Sequence, residues 1–121
     1  MNDIIYCYTR KDAIEDGLLI DVSETAREAG FRYPVAITRA VWSKYVKVPE
    51  GIRLQDEAGR LWDILWMLCC AIRENLDADT LLFRLYVRND ERRAQLETLK
   101  AVCGPGDNLE PVITVMLPEE D

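Results

Sequence analysis

The sequence predicts an α+β domain, with a helical N-terminal half packed on a C-terminal three-stranded antiparallel meander. Three observations predict it. Helix starts and stops punctuate the first half: Thr9, Ser23, Pro34 and Asp56 open segments that Gly17, Gly30 and Gly51 help to close. One apolar stripe, Leu61, Leu65, Leu68 and Ile72, marks a long central helix. Residues 81–88 alternate apolar with polar side chains, and a Pro-bounded apolar run lies at 112–117. A chain of 121 residues fits one domain, 1–121.

In chain order, residues 4–8 read as a short strand or an extended arm. Thr9 with Asp12 three residues on is a cap signature, so a helix is predicted over 10–16. Residues 18–22 form a short apolar strand, and Ser23 caps a helix over 24–29. Pro34 stands where proline favours a helix start. Val35, Thr38, Val41, Trp42, Tyr45 and Val46 recur at spacings of three and four, which predicts a helix there. Asp56 caps the helix over 57–74, with Trp62, Trp66 and Cys69 beside its stripe. Phe83, Leu85 and Val87 give the next strand its buried face. Residues 91–103 carry two patterns: Leu96, Leu99 and Val102 at helical spacing, or Leu99, Ala101 and Cys103 on one strand face. The Gly104-Pro105-Gly106-Asp107 loop and the strand after it favour the hairpin, with a strand over 97–103.

Composition narrows function by exclusion. Apolar residues make up 49% and charged residues 31%, an ordinary globular balance. The longest apolar run, 64–72, is half the length a membrane helix needs, and residues 1–5 lack the features of a signal peptide. A cytoplasmic protein without a membrane partner is expected. Cys7, Cys69, Cys70 and Cys103 show no CxxC spacing and read as reduced, buried thiols. The chain has no histidine, which removes Ser-His-Asp and Cys-His systems and His-ligated zinc. No glycine-rich phosphate loop is present, so neither a cofactor nor a metal is expected.

Charge is sorted along the chain. The net charge is −7, with blocks of −4, +4, −4, +1 and −4 over residues 1–28, 29–55, 56–80, 81–109 and 110–121. The acidic balance disfavours direct nucleic-acid binding and steers association with basic partners. Asp56, Glu57 and Asp63 are the candidate acidic partner contacts, although Asp56 and Glu57 also serve the first turn of their helix. Trp62 and Trp66 share a helix face and read chiefly as core. Arg84, Tyr86 and Arg88 share one strand face and are the candidate basic contacts, against the plainer reading of a solvated edge. Ser43-Lys44 is not a nucleophile pair, because neighbours on a helix point about 100° apart.

Three stretches carry a family resemblance: 3–6 with 21–31 (Asp21-Val22-Ser23-Glu24-Thr25-Ala26-Arg27-Glu28-Ala29-Gly30-Phe31), 55–63 (Gln55-Asp56-Glu57-Ala58-Gly59-Arg60-Leu61-Trp62-Asp63), and 99–107 with Met116-Leu117-Pro118. The chain resembles a family of short uncharacterised proteins carried on plasmids, conjugative elements and phages. The resemblance implies a mobile-element setting and supplies no site residues. The functional expectation is a non-enzymatic protein that binds and inhibits a host defence complex acting on nucleic acid, of anti-CRISPR or anti-restriction type. The alternatives are a plasmid accessory or scaffold protein that forms a homodimer, and an enzyme whose Asp63, Arg60, Tyr6 and Tyr8 converge.

Overall fold

The structure, a computed structural model, describes residues 7–90 and 93–121. Its elements are α1 (Arg10–Glu15), β1 (Leu19–Asp21), α2 (Ser23–Glu28), β2 (Val35–Thr38), α3 (Arg39–Val41) running into a π-helical turn (Trp42–Val46), α4 (Glu57–Glu74), β3 (Thr80–Val87), β4 (Gln95–Pro105) and β5 (Pro111–Met116). The strands form one five-stranded mixed sheet in the order β1-β2-β5-β4-β3.

This corrects the predicted architecture. The C-terminal strands are not a free three-stranded antiparallel meander, and the first half of the chain is not simply helical. β2 pairs antiparallel with β1 and parallel with β5, with Val35 opposite Ile113 and Ile37 opposite Val115. The error lies at residues 35–38, where Val35, Ile37 and Thr38 are β-branched and favour strand. Val35, Ala36 and Ile37 are all buried, as an inner strand requires. Ser23, expected as a helix cap, instead accepts from the Val35 backbone N–H at 3.0 Å. The helix expected from Pro34 begins instead at Arg39, with Thr38 as its cap, the hydroxyl accepting from the N–H of Val41.

Other elements follow their local signals. Thr9 and Asp12 form a reciprocal capping box on α1. Gly17, at φ 78°, ends α1 in the left-handed conformation, and the N–H of Leu18 reaches back to the Ala13 carbonyl. The 95–105 segment is strand, and the hairpin across the Gly104–Asp107 loop pairs Ala101 with Val115 and Cys103 with Ile113, while β3 pairs Phe83 with Leu99 on the other side. Residues 4–6 of the expected N-terminal strand lie outside the described residues, and Cys7 and Tyr8 have no regular structure.

The core sits between one face of the sheet and α4. Val35, Ile37, Phe83, Leu85, Leu99, Ala101, Ile113 and Val115 meet Leu61, Ile64, Leu65 and Leu68. The opposite face is covered on the β1-β2-β5 side by α1 and the C-terminal turn. Arg10 donates to Thr114 Oγ1 at 2.7 Å and to the Ile113 carbonyl at 2.9 Å. Thr38 Oγ1 donates to Glu120 Oε2 at 2.7 Å. Asp107 accepts from the backbone N–H groups of Arg10 and Lys11 at 2.8 and 3.0 Å. With Thr9 capping Asp12, the carboxylate completes the free donors of the first turn from 96 and 97 residues away. Asp107→Ala is expected to cost about 1–2 kcal/mol, read as a lower urea midpoint with an unchanged m-value.

The four cysteines are unpaired. Cys69, Cys70 and Cys103 are half-buried, whereas Cys7 is exposed, against the expectation of four buried thiols. Among the described residues no helix is long and apolar enough to cross a membrane, and no group of three or more acids and cysteines is placed to hold a metal.

Candidate functional site

Arg60 organises the end of the molecule where the predicted contacts gather. It lies on α4 and is 7% exposed. Its Nε donates to the Tyr45 carbonyl at 2.7 Å, one terminal nitrogen to Gln55 Oε1 and to the Arg88 carbonyl at 2.9 Å each, and the other to Asn89 Oδ1 at 2.5 Å. Asn89 Nδ2 donates in turn to the Lys44 carbonyl at 3.0 Å. Lys44 and Tyr45 close the π-helical turn, whose last carbonyls have no partner within the helix. Arg60 and Asn89 supply those partners. A cation at a helix C-terminus also meets the partial negative charge there. Burial lowers the Arg60 pKa from its ordinary value, yet an arginine stays charged in a protein. Every acceptor named is neutral, so the charge is held by dipoles and not by a carboxylate.

A cleft of about 400 Å3 opens beside this cluster, with Asp56, Asp63, Tyr86 and Arg88 on its walls together with Tyr45 and Arg60. Four of the six predicted contacts are thus brought together. Asp56 is engaged as the α4 cap, accepting from the Gly59 N–H at 2.7 Å. Glu57 is exposed on the first turn of α4 and lines neither this cleft nor the groove beside it. Tyr45, the cleft's inner wall, donates its hydroxyl to Glu97 Oε2 at 3.1 Å, and burial is the main cause that raises its pKa.

Arg84 stands in the adjoining groove, of about 350 Å3, which shares Asp63, Leu85 and Tyr86 with the cleft. Trp66 and Met67 from α4 and Leu96 from β4 complete it. This groove follows β3, the terminal strand of the sheet, whose outer edge pairs with no strand among the described residues. Its apolar side chains are open to solvent: Tyr86 is 70% exposed, Leu96 48% and Trp66 44%. Leu82, on the same strand face as Arg84 and Tyr86, is 63% exposed. Trp66 stacks on Trp62, with ring centroids 6.3 Å apart and planes 15° apart. Trp62 packs against the core, so one tryptophan anchors the other in a fixed, exposed pose.

A family model matches residues 1–121 from end to end. The chain belongs to DUF6573, a family of unknown function. No curated protein and no solved structure matches it. The geometry of this DUF6573 chain must therefore carry the functional argument. The imagined convergence of Asp63, Arg60, Tyr6 and Tyr8 is met in part. Arg60 and Asp63 line one cleft, Tyr8 donates to Asp16 at 2.7 Å beside α1, and Tyr6 lies outside the described residues. Two features escaped sequence reading, the buried organising role of Arg60 and the contacts of Asn89. Arg60 is four residues before buried Ile64, hence on the buried face, and that spacing was the available signal. The Asn89 amide carried no local signal, because its partners lie 29 and 45 residues away.

Proposed function

We propose that the chain is a non-enzymatic binding protein whose partner adds an extended segment to the free edge of β3. The observation that carries this reading is the convergence of exposed Trp66, Tyr86, Leu96 and Leu82 on an unpaired eight-residue edge strand. Soluble proteins shield such edges from casual pairing, and strand addition is a recurrent mode of peptide recognition. Aromatic residues and arginine are the usual binding hot spots, and the Trp62–Trp66 stack reduces the ordering cost at one of them.

Arg84 and Arg88 set the chemistry of the partner. A segment alternating apolar and acidic residues places its acids against the guanidinium groups and its apolar side chains in the groove. A second copy fits less well. The antiparallel register that matches Leu82 with Tyr86 across a two-fold axis also sets Arg84 against Arg84, and like charges directly opposite are destabilising.

Selection of random peptides on the immobilised chain tests this. The expected result is enrichment of alternating apolar and acidic sequences, with at least a tenfold affinity loss on Arg84→Glu and on Trp66→Ser. Enrichment of basic sequences, or affinity indifferent to both substitutions, overturns it. The mobile-element resemblance supports a narrower version, in which the partner belongs to a host defence complex acting on nucleic acid and is inhibited by occlusion. Its readout is phage or plasmid survival in a defended host: protection lost with Arg84→Glu supports it, and no protection by the native chain rejects it.

A further inference from the structure

A second concavity lies at the C-terminal end of α4 and shares no lining residue with the β3 groove. Its volume is about 520 Å3, within the range of small-molecule sites. It opens where the segment after α2 faces the end of α4. Phe31, Ile72, Leu81 and Ile113 give it apolar walls that continue into the core, and the thiols of Cys69 and Cys103 share its lining.

The polar side chains of its lining, Arg32, Tyr33, Arg73, Asn75 and Asp79, are all on exposed residues. Neither Arg32 nor Arg73 has a hydrogen-bond or ion-pair partner among the described residues. Two guanidinium groups against one carboxylate leave the lining itself net positive on a protein of net charge −7. An apolar cavity with unengaged arginines at its edge matches a ligand with an apolar body and one anionic end.

We propose that this cavity binds a carboxylic acid with an aliphatic body, its chain against Phe31, Ile72, Leu81 and Ile113 and its carboxylate at Arg32 and Arg73. The apolar walls supply affinity in proportion to the area removed from water. The arginines discriminate, because a neutral ligand leaves them as solvated as before and a cationic one meets like charge.

The test uses decanoate below its micelle concentration, with decanol and decyltrimethylammonium as matched probes. Binding is measured by calorimetry and by iodoacetamide labelling of each cysteine, resolved by mass spectrometry. Decanoate is expected to bind at least tenfold more tightly than decanol and to slow labelling of Cys69 and Cys103, leaving Cys7, which is outside the cavity, unchanged. The Arg32→Gln/Arg73→Gln variant changes only exposed positions, so it should fold as the native chain does. It should bind decanoate at least tenfold more weakly, equivalent to about 1.4 kcal/mol, with decanol affinity unchanged. Absence of calorimetric binding, equal affinity for decanoate and decanol, or equal slowing at Cys7 overturns the proposal.

Discussion

Arg60→Met is expected to destabilise the chain by about 3 kcal/mol, the upper end of the cost of leaving a buried polar group without its partner. The methionine fills comparable space, so the cost comes from the groups left behind. The Tyr45 and Arg88 carbonyls and the side chains of Gln55 and Asn89 each lose a donor, the Tyr45 carbonyl at a buried position and the others at half-buried ones. The end of the π-helical turn loses its cap at the same time. Arg60→Lys should recover little, because an ammonium lacks the planar fork that reaches three directions at once. Urea unfolding of both variants checks this. A loss under about 1 kcal/mol for the methionine variant would mean that the four acceptors find other donors.

Ile37→Ala is expected to cost about 3 kcal/mol, within the span for truncating a fully buried isoleucine. Ile37 is 0% exposed and stands opposite Ile20 on one side and Val115 on the other. It therefore sits where the N-terminal strands join the rest of the sheet. The amphipathic helix expected over this segment predicts a smaller loss. On a helical wheel Ile37 lies about 40° from Val41, at the margin of the apolar stripe rather than at its centre. Alanine there would cost less, because the better helix former offsets part of the lost contact. The size of one measured ΔΔG separates the two architectures.

What sequence reading captured was local in origin. The Thr9–Asp12 capping box, the Asp56 cap and the stripe of α4 depend on neighbours within one or two turns. The alternation of Phe83, Leu85 and Val87 was legible for the same reason, because burial of one sheet face imposes a period of two. β2 was lost because three- and four-residue spacing and a run of β-branched residues coincide at Val35–Thr38. Pairing with β5, almost eighty residues on, decided between them. In the candidate site, the Arg84–Tyr86 strand face and Asp63 were visible, but the role of Arg60 was not. Its acceptors come from the π-helical turn, the loop before α4 and the end of β3, and only the tertiary fold brings these together. The same limit hid the contact of Asp107 with α1.

The docking surface depends on β3 having a free edge that a partner segment can pair with. Amide hydrogen exchange across Thr80–Val87, with and without a selected apolar-acidic peptide, measures this most directly. Without peptide, the outward-facing amides of β3 should exchange much faster than those bonded to β4. With saturating peptide they should be protected at least tenfold, while amides of α1 and β1, on the far side of the sheet, stay unchanged. Uniform slow exchange along β3 in the free chain, or protection that falls elsewhere and spares β3, would contradict the account.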